Sequence, residues 1–85
     1  MIFHLVFDGV SDGGIGVALD VVATAARLVR AGLCTVPGAA RALTQCVVSV
    51  DGQPVQTGAA RTLGVDGPLL LERVGPGDVI VLAGL

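Results

Sequence analysis

Ile2-Phe3-His4-Leu5-Val6-Phe7, followed at once by Asp8-Gly9, is the stretch on which the fold turns. Its apolar residues run without alternation and are interrupted only by His4. A strand of that kind is buried on both faces, as strands of parallel sheets are. A parallel sheet needs a crossover, and the next residues supply one. Asp12-Gly13-Gly14 reads as a turn, with Asp12 placed to cap a helix. From Ile15 to Ala31, apolar residues recur at helical spacing: Ile15, Leu19, Val22, Ala26 and Val29 form one stripe. Asp20, Thr24 and Arg27 form a narrow polar stripe on another face, and Gly32 is a natural residue to stop the helix. Leu33 to Ala40, with Pro37-Gly38, reads as a loop or a frayed extra turn.

Leu43 to Val50 is a second strand, rich in β-branched residues and closed by the turn dipeptide Asp51-Gly52. Pro54 to Thr57 and Arg61 to Val65 are two short extended pieces. Pro54 argues against a central strand, so they form a small β excursion. Pro68 to Arg73 reads as a helical turn, with Pro at its tolerated first position. Asp78 to Leu82 is the last strand. Strand, long helix, strand, short helix, strand is the grammar of an α/β parallel sheet of three strands. Right-handed crossovers put the first strand in the middle, flanked by the second and the last.

Eighty-five residues make one domain at most, and a chain this short buries only about 60–65% of its unfolded surface. Yet 53% of the residues are hydrophobic, 14% are charged, and the mean hydropathy is +0.86. That composition argues against disorder, and it encodes more apolar surface than a three-strand unit can easily cover. A partner surface, in the form of a homo-oligomer, is therefore expected. The most apolar window, Gly13 to Val29, is broken by Asp20 and Arg27, so no membrane span is expected. The N-terminus lacks a basic region, and Asp8 interrupts its apolar run, which argues against a secretory leader and for a cytoplasmic location.

Net charge is −2, and all five basic residues are scattered arginines. Without a basic stripe for phosphates, this segment is not expected to bind nucleic acid directly. The absence of Lys, Trp and Tyr beside abundant Ala, Val and Gly points to a GC-rich bacterial coding sequence. Two cysteines, Cys34 and Cys46, are too few for a disulfide scaffold and are not spaced as metal ligands. Neither has a His or acidic partner close in sequence, so no catalytic role, metal or cofactor is assigned to either.

In open α/β sheets, ligands bind beyond the carboxyl ends of the strands, near the point where strand order reverses. Those ends are Phe7-Asp8-Gly9, Ser49-Val50-Asp51 and Leu82-Ala83-Gly84. The first and third should be neighbours, which makes Asp8, Gly9 and Gly84 candidate ligand-binding residues. Asp12-Gly13-Gly14-Ile15-Gly16 invites a phosphate-loop reading. It matches neither the dinucleotide fingerprint nor the P-loop, whose Lys is missing, and Asp8 and Asp12 would repel a phosphate. His4, in the middle of a strand, reads as a satisfied core histidine. Asp20, taken alone, reads as a solvated helix residue.

The string Leu5-Val6-Phe7-Asp8-Gly9-Val10, continuing to Leu19-Asp20-Val21-Val22, resembles the opening of the DJ-1/PfpI superfamily. The resemblance is nearest to the sensing-like domain of GlxA-type regulators of the AraC family. There, a strand ending Phe-Asp-Gly-Val precedes a helix carrying Pro-x-Glu-Val-Phe. Phe7-Asp8-Gly9-Val10 matches the first element, and Asp20-Val21-Val22 takes the place of Glu-Val-Phe. Val47 to Thr57 is similar to the family's Val-Ser-Pro-Asp-Gly-Gly-Pro-Val-Arg-Thr excursion, and Asp78 to Leu85 to its Asp-x-Leu-x-Val-Pro-Gly-Gly strand end.

The resemblance implies a flavodoxin-like, three-layer sheet of the class I glutamine amidotransferase kind, of which residues 1–85 are the incomplete N-terminal part. It implies a sensing and dimerising unit for a small-molecule effector, with Asp20 joining Asp8, Gly9 and Gly84 at the site, and DNA contacted by a separate helix-turn-helix region. It also implies departures. The family's nucleophilic Cys lies downstream of the Pro-Gly-Gly strand, so neither Cys34 nor Cys46 inherits that role. Asp20 is a methylene shorter than the usual Glu. Ala83 stands for the proline and Leu85 for the second glycine, where backbone amides form an oxyanion-hole-like pocket. Two rival readings are a fragment of a cysteine-dependent hydrolase or hydratase, and a short self-associating interaction protein.

Overall fold

The computed structural model describes residues 1–84 of the chain. Its elements are β1 (Ile2–Leu5), α1 (Asp12–Arg30), α2 (Ala39–Ala42), β2 (Gln45–Ser49), β3 (Val55–Gln56), β4 (Thr62–Leu63), β5 (Gly67–Pro68), a 3-10 turn (Leu71–Arg73) and β6 (Val79–Val81). The architecture is α/β. β5, β2, β1 and β6 form a sheet in that order, and every pairing in it is parallel. β1 sits between β2 and β6, as the two crossovers require, with Ile2 beside Gln45 on one side and Val79 on the other.

The sheet has one strand more than the sequence suggests. Gly67-Pro68 pairs with Val48-Ser49 as an edge strand, so Pro68 does not open a helical turn. Proline donates no hydrogen bond and is tolerated at an edge. The anchors come from its neighbours: Asp66 N–H donates to Val47 O (2.7 Å) and Leu69 N–H to Ser49 O (2.8 Å). The helical turn begins only at Leu71.

α1 starts three residues before Ile15. Ser11, not Asp12, is its cap: Ser11 is extended, and its hydroxyl accepts the Gly14 N–H at 3.1 Å. The turn expected over Asp12-Gly13-Gly14 is thus the first turn of the helix, where Asp12 faces the positive end of the dipole. The helix closes with Gly32 at φ +74°, Gly32 N–H on Val29 O and Leu33 N–H on Leu28 O. That double bond pattern satisfies two orphan carbonyls, and Gly adopts the left-handed conformation without a Cβ penalty. The four-residue α2 then delays β2 until Gln45.

α1 covers one sheet face. Val6, Val10, Ile15 and Val55 form the buried core, flanked by Phe7, Leu19, Val47, Leu63 and Val65. His4 lies beneath the same helix, 1% exposed. Its Nε2 meets Gln45 Oε1 at 2.8 Å, while the Gln45 amide N–H donates to Leu19 O at 3.2 Å. With its Oε1 left to accept, Gln45 selects the Nε2–H tautomer of His4. His4 Nδ1 has no partner among the described residues. On the other face, Phe3, Cys46 and Val48 form the floor of a cavity of about 410 Å³, closed on one side by Asp66, Pro68 and Leu70.

At the amino end of the sheet, Asp78 ties β6 to β1. Its side chain is 1% exposed and accepts from the Met1 ammonium at 2.7 Å and from Arg41 at 2.8 Å. The Met1 hydrogen bond, then that of the Gly75 N–H, with help from the Arg41 charge, lower its pKa to about 2 against the opposing effect of burial. Among the described residues, no helix is long and apolar enough to cross a membrane.

Candidate functional site

The carboxyl end of the sheet is built by three strand exits and one inserted excursion. β1 leaves through Phe7-Asp8-Gly9, with Gly9 at φ +92°. β2 leaves through Ser49-Val50-Asp51, and β6 through Leu82-Ala83-Gly84. The excursion is the antiparallel pair β3–β4, with Val55 opposite Leu63.

Asp8 and Gly9 hold this excursion in place. Gly9 N–H donates to Gln56 O at 2.7 Å, and Gln56 N–H donates to Asp8 Oδ1 at 3.0 Å. Gly58 N–H continues onto Val10 O at 2.8 Å, and Asp12 Oδ1 accepts the Ala59 N–H at 3.3 Å. Asp8 and Gly9, expected from the sequence as ligand contacts, are thus engaged in local structural hydrogen bonds.

Gly84 is placed just as tightly. Its carbonyl accepts the Ser11 N–H at 3.2 Å, and its φ is +77°. A Cβ on Gly84 would lie 2.8 Å from Ser11 Cβ. The start of α1 therefore occupies the space that a side chain on this glycine would need. Leu85, at the position of the family's second glycine, lies outside the described residues.

The open space is on the other flank of β1. A cleft of about 240 Å³ lies between the ends of β1 and β2, lined by Phe7, Asp8, Ser49, Asp51, Pro54 and Val55 among others. Asp51 Oδ1 accepts the Gln53 N–H at 3.0 Å, and Asp8 Oδ1 accepts that of Gln56, so each carboxylate has one oxygen fixed by backbone. Ser49 is 2% exposed, and its hydroxyl donates to Gln53 O at 2.8 Å. That proton is committed to structure. The cleft thus offers two anchored carboxylates and an apolar wall, which suits a small ligand that donates hydrogen bonds or carries positive charge.

Asp20 lies elsewhere. It is exposed on α1 and lines a shallow groove with Val17, Val21, Thr24, Ala25 and Leu28, a groove that includes neither Asp8 nor Gly84. The structure therefore brings Asp8, Gly9 and Gly84 to one end of the sheet and sets Asp20 on an outer helix face. Ser49 and Asp51 belong beside Asp8. Their signal was their position at a strand end, but only the docked excursion shows which flank of β1 stays open.

Cys34 is exposed just beyond α1, and Cys46 is half-buried in β2. Burial first, then the charge of Asp66, push the Cys46 thiol upward, the opposite of activation. Among the described residues, no three His, Cys, Asp or Glu side chains gather as a metal site. No family model matches the chain, and neither does any curated protein or solved structure.

Proposed function

We propose that this chain is the opening part of a flavodoxin-like, DJ-1/PfpI-type sensing and dimerising unit, of the kind carried by GlxA-like transcriptional regulators. In this reading the unit binds a small effector and associates with itself. DNA is left to another region, and this segment performs no catalysis. Support comes from the parallel order β5-β2-β1-β6, in which the strand ending Phe7-Asp8-Gly9 is central. The observation that carries it is the cleft between the ends of β1 and β2, where Asp8 and Asp51 each keep one carboxylate oxygen anchored by backbone. Its volume of about 240 Å³ lies below the roughly 300–1,000 Å³ of drug-sized pockets, so the effector is small.

The test is a heteronuclear NMR titration of the labelled chain with small amines, amino alcohols and polyols. Shifts confined to the amides of Asp8, Gly9, Ser49, Val50 and Asp51, weakened roughly tenfold by Asp8→Asn, are the expected result. Asn retains a carbonyl oxygen for the Gln56 N–H, so the excursion keeps its anchor. A panel that leaves these amides unmoved at millimolar concentration would remove the effector half of the reading.

A further inference from the structure

We propose that the outer face of α1 is the contact between two copies of this chain, with the two helices packed antiparallel about a two-fold axis. The proposal rests on the self-associating reading above and names the surface that does it.

Three large apolar residues of α1 point away from the sheet: Val17 is 64% exposed, Val21 62% and Leu28 41%. With Thr24 they follow the spacing 4, 3, 4, which is the repeat of a helix seam meeting a second helix. This stripe is distinct from the inward one of Ile15, Leu19, Val22, Ala26 and Val29, so α1 is apolar on two sides. Val17, Val21, Thr24, Ala25 and Leu28 line a continuous groove with Asp20 on its border. Ala18 and Ala25 flank the seam with side chains small enough for close approach.

The charges select the occupant and its direction. Asp20 and Arg27 stand seven residues apart along one side of this seam, about 10.5 Å along the axis. Within one helix they do not pair: Arg27 Nη2 donates to the Thr24 hydroxyl at 3.1 Å, and Asp20 has no hydrogen-bond or ion-pair partner among the described residues. A second copy running antiparallel places Asp20 against the partner's Arg27, and Arg27 against the partner's Asp20. The same placement sets Val17 against the partner's Leu28 and Val21 against the partner's Thr24, level with each other across the axis. Flanking positions of one type meet their own type in antiparallel helix pairs, which is the relation Asp20 and Arg27 satisfy. A parallel pair puts each charge level with its own copy and forms no Asp20–Arg27 pair. Antiparallel helix dipoles add in the same direction.

A seam of three to four turns is a small interface, so the dimer is weak, with a Kd on the order of tens of micromolar. The experiment is sedimentation equilibrium of the full chain over a wide concentration range, at low and high salt, for wild type, Asp20→Arg, Arg27→Asp and the double exchange. Both positions are exposed, and far-UV circular dichroism checks that each variant remains folded. The expected result is a wild-type dimer, roughly tenfold or more weakened by either single reversal and restored to within about threefold by the double exchange. A wild-type chain that stays monomeric at several hundred micromolar overturns both this surface and the self-associating reading. A dimer of equal strength in all four proteins overturns the surface alone and leaves that reading standing.

Discussion

Gly14, in the first turn of α1, and Gly84, just past β6, pack backbone against backbone: a Cβ on Gly14 would lie 2.7 Å from the Gly84 Cα. The contact joins the start of the helix to the exit of the last strand, and it leaves no room for a side chain on either residue. Gly14→Ala should therefore cost about 1–3 kcal/mol, the usual range for overpacking against atoms that cannot yield. Gly84→Ala should cost at least as much, because its φ of +77° adds about 1–2 kcal/mol for a residue with a Cβ. Gly16→Ala is the control, since nothing lies within 4 Å of a Cβ there and the position is helical. It should stabilise the chain by about 0.5–1 kcal/mol. Urea denaturation of the three variants reads all of these effects, and a neutral Gly14→Ala would show that the two backbones are not packed in solution.

The buried polar pair His4 and Gln45 should behave as a unit. Gln45→Leu removes the one partner of His4 Nε2 among the described residues and leaves the Leu19 carbonyl without its side-chain donor. The expected loss is about 1–3 kcal/mol, the cost of an orphaned buried polar group. His4→Leu combined with Gln45→Leu should cost less than the sum of the single changes, because the pair is removed together. A double-mutant cycle by thermal unfolding measures the coupling, and strict additivity would mean that the two side chains do not meet.

Acid should loosen the amino end of the sheet first. The folded pKa of Asp78 lies at about 2, below its ordinary 3.8, so the unfolded chain takes up the proton sooner as pH falls. Asp78 therefore contributes its full share of stability above about pH 4 and loses it progressively toward pH 2. Asp78→Asn should unfold at lower urea concentration than wild type at pH 7. The two stability curves should converge as pH approaches 2, and parallel curves across that window would contradict the ion pairs at Asp78.

The two thiols should separate cleanly in reactivity. Cys34 is exposed, whereas Cys46 faces the 410 Å³ cavity from a half-buried strand position with its thiol pKa raised. Ellman's reagent at pH 7.5 should label one thiol rapidly and the second at least tenfold more slowly, with the fast phase absent in Cys34→Ser. Equal rates would mean that β2 opens on the labelling timescale.

Much of this fold is legible in the chain because its signals are local. The continuous run Ile2 to Phe7, the helical stripe from Ile15 to Val29, Gly32 at the helix end and the Val/Ile/Leu run after Asp78 depend on near neighbours and on backbone preference. The middle position of β1 follows from crossover handedness, which is also a local property of twisted strands. Gly67-Pro68 does not read as a strand in the sequence, because its pairing is made by the flanking amides of Asp66 and Leu69, and nothing in a Gly-Pro dipeptide announces that.

The candidate site divides along the same line. Residue types and strand ends by themselves determined that Asp8, Gly9 and Gly84 would meet at the carboxyl end of a parallel sheet. Only the tertiary structure decided that Gly84 is filled by Ser11 and Gly14, and that the open cleft lies between Asp8 and Asp51. It also set Asp20 on an outer helix face with Val17, Val21 and Leu28. Those outcomes depend on where β3–β4 docks and how α1 is rotated over the sheet. Both are settled by packing between residues as far apart as Asp8 and Gln56, which no local pattern in the chain encodes.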